Sequence, residues 1–238
     1  MKAEAEKERM RGNLLRAVSH DLRTPLTSIY GACSAMLENY DALPRQTHIK
    51  LLSDVCADAQ WLVRMVENLL SVTRVDTSTV RLSKNDTVLE ELIDAVLVKF
   101  HKHYPDTEVH VEIPEEFVSI PMDAMLISQV LMNLLENAVF HAKGMKNLWL
   151  RVEVKGLWAY FYVEDDGCGI PEEKLPKLFT GMLGSEAPTD QSRSSMGIGL
   201  SVCSAIIKAH GGEIWANKRA GGGTEVGFRL EMEDENGE

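Results

Sequence analysis

The run Ser19-His20-Asp21-Leu22-Arg23-Thr24-Pro25-Leu26 places a nucleophile, a carboxylate and a hydroxyl on one short stretch. Val18, Leu22 and Leu26 recur every four residues, the spacing of an apolar helix face. His20 stands two residues from both Val18 and Leu22, about 200° round the helical wheel, so its ring faces solvent. A solvent-facing neutral imidazole beside a carboxylate can attack an electrophile: Asp21 holds the Nδ1–H and leaves Nε2 free. Thr24, one turn on, shares the His20 face and adds a hydroxyl near the ring. Pro25 removes the helical bond to the Asp21 carbonyl and predicts a bend there. A lone helical histidine is usually a surface residue without a task; here three neighbours argue for chemistry.

Three further segments carry groups suited to a nucleotide. Asn133 and Asn137, four residues apart, share one face of a helix whose other side is Val130, Leu131, Leu134, Leu135 and Ala138. Asparagine is a poor helix former, and its carbonyl oxygen is a hard ligand for Mg²⁺ beside phosphates; a polar rim is the plainer alternative. In Val163-Glu164-Asp165-Asp166-Gly167-Cys168-Gly169-Ile170-Pro171 a strand runs into acids and then glycines. A carboxylate at a strand end can accept a hydrogen bond from an adenine amino group, and glycine lets a ring approach the backbone. Asp-Gly alone would be a turn. Ser194-Ser195-Met196-Gly197-Ile198-Gly199-Leu200 opens a helix with glycines, which leaves N–H groups and the positive dipole end for phosphate. The long polar stretch Thr180 to Ser195 before it has the composition of a mobile lid.

These groups need elements to hold them. Residues 2–41 read as one long helix, Asp41 to Pro44 as a turn, and about 45–76 as a second helix. Leu52, Val55, Ala59, Leu62, Val66, Leu69 and Thr73 alternate threes and fours, a heptad seam. Two helices alone bury too little, so the hairpin is expected to pair with a second copy as a four-helix bundle. A monomeric hairpin packed on the next domain is the alternative. Asp76 to Thr79 is a linker. Beyond it come a short strand at Val80 to Leu82, a helix at Val88 to Tyr104 and a strand at Val109 to Ile113. A helix at Met125 to His141 precedes a hairpin of Leu148 to Val154 with Trp158 to Val163. A helix at Gly197 to His210 and strands at Glu213 to Ala216 and Thr224 to Leu230 close the chain. This order predicts an α+β fold, one sheet with helices on one face, with domains at 1–78 and 79–238. The acidic tail Glu231 to Glu238 reads as frayed.

The 238 residues suit one large domain or two small ones, and the net charge of −11 argues against nucleic acid or an anionic membrane surface as partner. Cys33, Cys56, Cys168 and Cys203 lack metal or disulfide spacing and read as buried small residues in a reducing compartment. No apolar run is long enough to span a bilayer, and no signal peptide opens the chain. The charged helix formers from Lys2 to Arg11 begin in mid-pattern. The expectation is therefore a cytoplasmic piece of a membrane-anchored parent whose sensor lies upstream.

The Ser19 to Leu26 run resembles the H-box of two-component sensor histidine kinases, and with Glu8 to Arg11 and Leu14-Leu15 it is most similar to the potassium-sensing KdpD-type members. The three nucleotide segments resemble the N-box, G1-box and G2-box of the ATP fold that these kinases share with gyrase, Hsp90 and MutL. The resemblance implies a HisKA hairpin that dimerises, followed by an α/β sandwich ATP-binding domain of the GHKL (Bergerat) type. It implies His20 as phospho-acceptor, Asp21 as its acid/base partner, and Thr24 positioning water for dephosphorylation. By the same likeness Asp165 reads adenine, Asn137 holds Mg²⁺ and Asn133 supports the phosphates. Gly169 lines the adenine pocket, Gly197 and Gly199 border the triphosphate, Thr224 reaches adenine through water, and His141, Gly167, Ile170 and Leu200 complete the ATP-binding set. The implied partner is a response-regulator receiver domain.

The chain departs from the family pattern at two places. Phe140 stands where a lysine is usual, and Leu178-Phe179-Thr180-Gly181-Met182-Leu183-Gly184 keeps one phenylalanine and ends on glycine. Two positive charges expected near the phosphates are missing, and His141, Lys143 or Arg193 are the candidates to compensate. Charge stabilisation of a transferring phosphoryl group is a large effect, so slow autophosphorylation or a phosphatase bias follows. Two rivals stay open: an ATPase clamp, which has no use for His20-Asp21-x-x-Thr24, and a nucleotide-binding docking module without catalysis.

Overall fold

The computed structural model describes residues 22–76, 82–175, 178–179 and 196–232. His20 and Asp21, the linker at 77–79, the lid stretch 180–195 with Arg193, and the tail from 233 lie outside these residues. The chain divides into two compact units, Met1–Leu70 and Ser71–Glu238. Among the described residues no helix is long and apolar enough to cross a membrane.

In the first unit a helix over 22–38 (α1) is followed by a turn at 39–44 and a helix at Arg45–Asp76 (α2). The turn closes where the Asn39 carbonyl accepts from Ala42 and Leu43, both at 3.0 Å, and the Pro44 carbonyl starts α2 by accepting from Thr47 at 2.9 Å. The first helix thus stops at 38, short of the expected 41. Of the described side chains up to Val66, only Pro25 and Asp58 are buried. Leu26, Tyr30, Leu37, Ile49, Leu52, Val63 and Val66 are exposed. A pair of helices this bare has no core of its own.

The second unit is built on a five-stranded sheet in the order β2-β4-β5-β7-β6. Its strands are Val109–Glu112 (β2), Leu148–Lys155 (β4), Trp158–Asp165 (β5), Glu213–Lys218 (β6) and Thr224–Glu231 (β7). Strand β2 runs parallel to β4, and every other pairing is antiparallel. Leu89–His103 (α3), Ala124–His141 (α4) and Met196–Ala209 (α5) pack in sequence, α3 on α4 on α5, against one face. Helix α3 begins with Glu90 and Glu91 and ends with His101, Lys102 and His103, matching its dipole, and buries Leu89, Leu92, Ile93, Val96 and Phe100. Helix α4 starts at Asp123, whose carboxylate accepts from the Leu126 N–H at 3.2 Å, a side-chain cap. Phe161 and Phe228 stack across β5 and β7 at 4.6 Å in the core. The other face is covered by its own side chains: Arg219 lies 4.1 Å over Trp149, Arg151 4.2 Å over Tyr162 and Arg229 4.3 Å over Trp158.

Three expectations need correction. Besides the single sheet, Asn85–Val88 (β1) and Ser119–Met122 (β3) form a separate antiparallel pair. Leu82 is not in a strand, and Val80 and Arg81 lie outside the described residues. Strand β3 escapes a sequence reading because Pro121 sits in it; with a partner on one side only, the missing N–H is tolerated. Finally, the cysteines are free but not uniformly buried: Cys203 is buried, whereas Cys56 and Cys168 are exposed.

Candidate functional site

Alternation along β5 selects one acid from three. Ala159, Phe161 and Val163 are buried on the helix side of the sheet, and Asp165 takes the next place on that face, 6% exposed. A carboxylate continuing an apolar stripe has been put there at a cost. Burial raises its pKa above the ordinary carboxylate value; N–H donors from Gly167, at 2.9 Å, and from Thr224, with the Thr224 hydroxyl, offset part of that. Glu164 points to the opposite face, where Arg151 and Arg219 hold it at 2.8 and 3.1 Å. Asp166 is taken up by the α4–β4 loop: it accepts from the Lys146 N–H at 2.7 Å, the Asn147 N–H at 2.9 Å and the Asn147 amide at 2.7 Å. Those donors lower its pKa to about 2.

Asp165 lines a cleft that opens to solvent. Helix α4 contributes Asn137, His141, Leu134 and Ala138, with Ala142 just beyond its end. The β5 end contributes Val163 and Asp165, the following loop Gly169 and Ile170, α5 Leu200, and β7 Thr224 and Val226. Asp165 and Thr224 are cross-strand partners, as are Val163 and Val226, so the sheet register fixes this part of the lining. Glycines let the walls close. Gly223, at φ +94°, passes so near β5 that a Cβ on it would lie 1.8 Å from the Asp165 carbonyl oxygen. Gly169, at φ +72°, is itself against the Gly223 carbonyl.

Two groups in the cleft are suited to a polar ligand. The buried amide nitrogen of Asn137 has no hydrogen-bond partner among the described residues, although nearly all buried polar groups in native proteins have one. Its amide can turn oxygen or nitrogen toward a ligand. His141 is half-buried, and burial lowers its pKa, which keeps the ring neutral at physiological pH. An amide oxygen beside a neutral imidazole fits a hydrated Mg²⁺ with phosphates.

The structure therefore gathers Asn137, His141, Asp165, Gly169, Ile170, Leu200 and Thr224 at one cleft. Asn133 is elsewhere: it is buried, and its side chain is hydrogen-bonded to Cys203 on α5. Gly167 lies behind the wall, where an added Cβ would meet Ala142 at 2.6 Å. Gly197 and Gly199 open α5, and Gly199 is not among the described residues that line the cleft. Thr24 is exposed on α1. Phe140 is half-exposed, its ring edge-on to Tyr104 at 6.0 Å. Sequence reading did not nominate Leu134, Ala138, Ala142, Val163 or Val226. The signals were present: Leu134, Ala138 and Ala142 repeat at four residues beside the asparagines, and Val163 precedes Asp165 by two on the same face.

Sequence models of two families match the chain. One, described as "Histidine kinase-, DNA gyrase B-, and HSP90-like ATPase", covers residues 122–234; the other, "His Kinase A (phospho-acceptor) domain", covers 10–78. The sensor protein KdpD of Clostridium acetobutylicum is 36% identical over 233 residues, 98% of this chain and 26% of its own length. The chain spans about a quarter of the length of the two KdpD relatives, 26% and 24%. Among solved structures, histidine kinase ThkA in complex with response regulator protein TrrA aligns with a TM-score of 0.73 at 24% identity, covering 98% of this chain and 65% of that one. Full-length ShkA in complex with AMPPNP aligns with a TM-score of 0.58 at 24% identity, covering 92% and 45%.

Proposed function

The chain belongs to the two-component sensor histidine kinases, and on that premise we propose that it is a catalytic core which phosphorylates His20 from ATP and passes the phosphoryl group to an aspartate of a response regulator. Residues 1–78 form the dimerising phosphotransfer hairpin and 79–238 the ATP-binding domain. The observation that carries the reading is the convergence of four separated segments on one cleft, with a buried Asp165 in its lining and the Asn137 amide nitrogen without a partner among the described residues.

The Asp165 carboxylate accepts from the adenine amino group, and Thr224 supports it from the neighbouring strand. Gly169 brings the backbone to the base, which Ile170 and Leu200 flank with apolar surface. Gly167 sets the wall behind it. Toward the phosphates stand Asn137, which would hold Mg²⁺, with His141, and Gly197 and Gly199 at the positive end of α5; Asn133, bonded to Cys203, supports α4 from inside. Mg²⁺, when bound, neutralises phosphate charge. His20 Nε2 forms a bond to the γ-phosphorus as the bond to the ADP oxygen breaks; Asp21 holds the Nδ1–H and so fixes the tautomer. Thr24 orients the water that attacks the aspartyl phosphate of the partner, releasing inorganic phosphate in the phosphatase reaction. The piece is cytoplasmic and its parent membrane-anchored.

Incubation with γ-labelled ATP should leave acid-labile phosphate on the protein, transferable to a receiver domain from a panel. His20→Ala should abolish the label, and equal labelling of parent and His20→Ala sinks the assignment.

A further inference from the structure

The acid beside the adenine carboxylate has a task of its own. Asp166 spends both oxygens on the loop between α4 and β4: Oδ1 accepts from the Lys146 and Asn147 N–H groups, Oδ2 from the Asn147 amide. The bond runs the other way too, since the Asp166 N–H donates to the Asn147 carbonyl at 3.4 Å. The loop held in this way begins at Ala142, which caps α4, is 9% exposed and lines the cleft. Ala142 also rests on Gly167, so closely that any side chain there would collide with it. The end of α4 and the end of β5 are thus locked together one residue from Asp165, and the lock is made of charged-acceptor bonds, the stronger kind.

We propose that Asp166 is a positioning residue for base recognition: by clamping the 142–147 loop to the end of β5 it fixes the distance between the Ala142 wall and the Asp165 carboxylate, and so makes the cleft select adenine over guanine. Asp166 does not touch the nucleotide. It acts through Asp165 and Ala142, since a hydrogen bond read across a pocket is lost with a displacement of about 1 Å. The inference rests on the nucleotide reading above and deepens it.

The test is calorimetric titration of the whole chain with Mg²⁺·ADP and Mg²⁺·GDP. The parent should prefer ADP. Asp166→Ala should weaken ADP about tenfold and leave GDP nearly unchanged, so that the preference collapses, in the range expected for a charged hydrogen bond lost indirectly. Asp166→Asn keeps the shape but takes the charge from the acceptor of the Lys146 and Asn147 N–H groups, and should lose part of the preference. Adding Asn147→Asp to Asp166→Asn reverses the pair, returns a carboxylate to it, and should recover part of the preference. A role in folding alone would weaken both nucleotides by the same factor. An unchanged ADP-to-GDP ratio in Asp166→Ala, or failure of the reversed pair to recover any of it, overturns the proposal. Failure of the parent itself to bind ADP is a different result, because it overturns the nucleotide reading first.

Discussion

Burial raises the Asp165 carboxyl above its ordinary pKa, while the Gly167 and Thr224 donors hold its anion in place. A carboxyl whose folded pKa exceeds its unfolded value favours the fold when protonated, and that contribution is lost as pH rises through the folded pKa. At neutral pH the ionised Asp165 therefore works against stability, which marks it as a residue kept for binding. Asp165→Asn should raise the thermal midpoint at pH 7 and weaken ADP, by calorimetry, by about 1.5–3 kcal/mol, on the order of ten- to a hundredfold. In the parent, ADP affinity should fall as pH drops from neutral through the raised pKa, and the variant should lack that slope. A variant with lower melting temperature and unchanged ADP affinity would contradict both halves. At this scale the sequence was readable where a period decides: the count of two along β5 separates Asp165 from Glu164, which faces Arg151, and only the Lys146–Asn147 loop explains Asp166. That loop pairing joins residues about twenty apart and leaves no trace in any local pattern.

The helices that frame the cleft are tied at their far ends by a buried histidine. His210 follows α5 and is 3% exposed. Its Nε2 accepts from the Asp123 N–H at 3.1 Å, which fixes Nδ1 as the protonated nitrogen donating to the Ile206 carbonyl at 2.8 Å. The tie thus joins the end of α5 to the cap of α4, the two helices that carry Leu200 and Asn137. Burial lowers the His210 pKa below 6.5, with Asp123 favouring the charged ring and Lys84 opposing it. A depressed histidine contributes stability that is present above the unfolded pKa and lost as pH falls through the folded one. Protonation would also set Nε2–H against the Asp123 N–H. Chemical unfolding should therefore show stability declining as pH falls below about 6.5, an unperturbed histidine value. His210→Phe should cost about 1–3 kcal/mol at pH 7, the price of an unpaired buried N–H, and should remove that part of the pH dependence. An identical pH profile in the variant would place the titration elsewhere. Among elements, α2, α3, α4 and α5 lie within a residue or two of their expected ends because caps and apolar spacing are local. Strands β1 and β3 were not foreseen, since Asn85–Val88 is polar and Pro121 interrupts the other.

At the scale of the whole molecule, the hairpin leaves a row of apolar side chains open to solvent. With Pro25 and Asp58 as its only buried residues among those described up to Val66, the pair of helices cannot be held by its own interior. The heptad seam on α2 gives the direction of the missing contact: Leu52 and Val66 are 52% and 47% exposed, while Val55 and Leu62 between them are partly covered. A seam half-covered within one chain and half-open is what a second copy would complete. Fully burying a leucine is worth about 1.5–3 kcal/mol, and a two-fold interface counts each residue twice. Leu52→Glu removes that gain and asks for burial of two carboxylates, so it should weaken dimerisation by more than about a hundredfold. Sedimentation equilibrium at micromolar concentration should find the parent dimeric and the Leu52→Glu chain monomeric. Val98→Glu is the control, because Val98 is an exposed apolar residue on α3 of the other unit, 72% against 52% for Leu52, and should leave the dimer intact. If Leu52→Glu and Val98→Glu sediment alike, the seam is not the interface, and the monomeric hairpin becomes the better account of these helices.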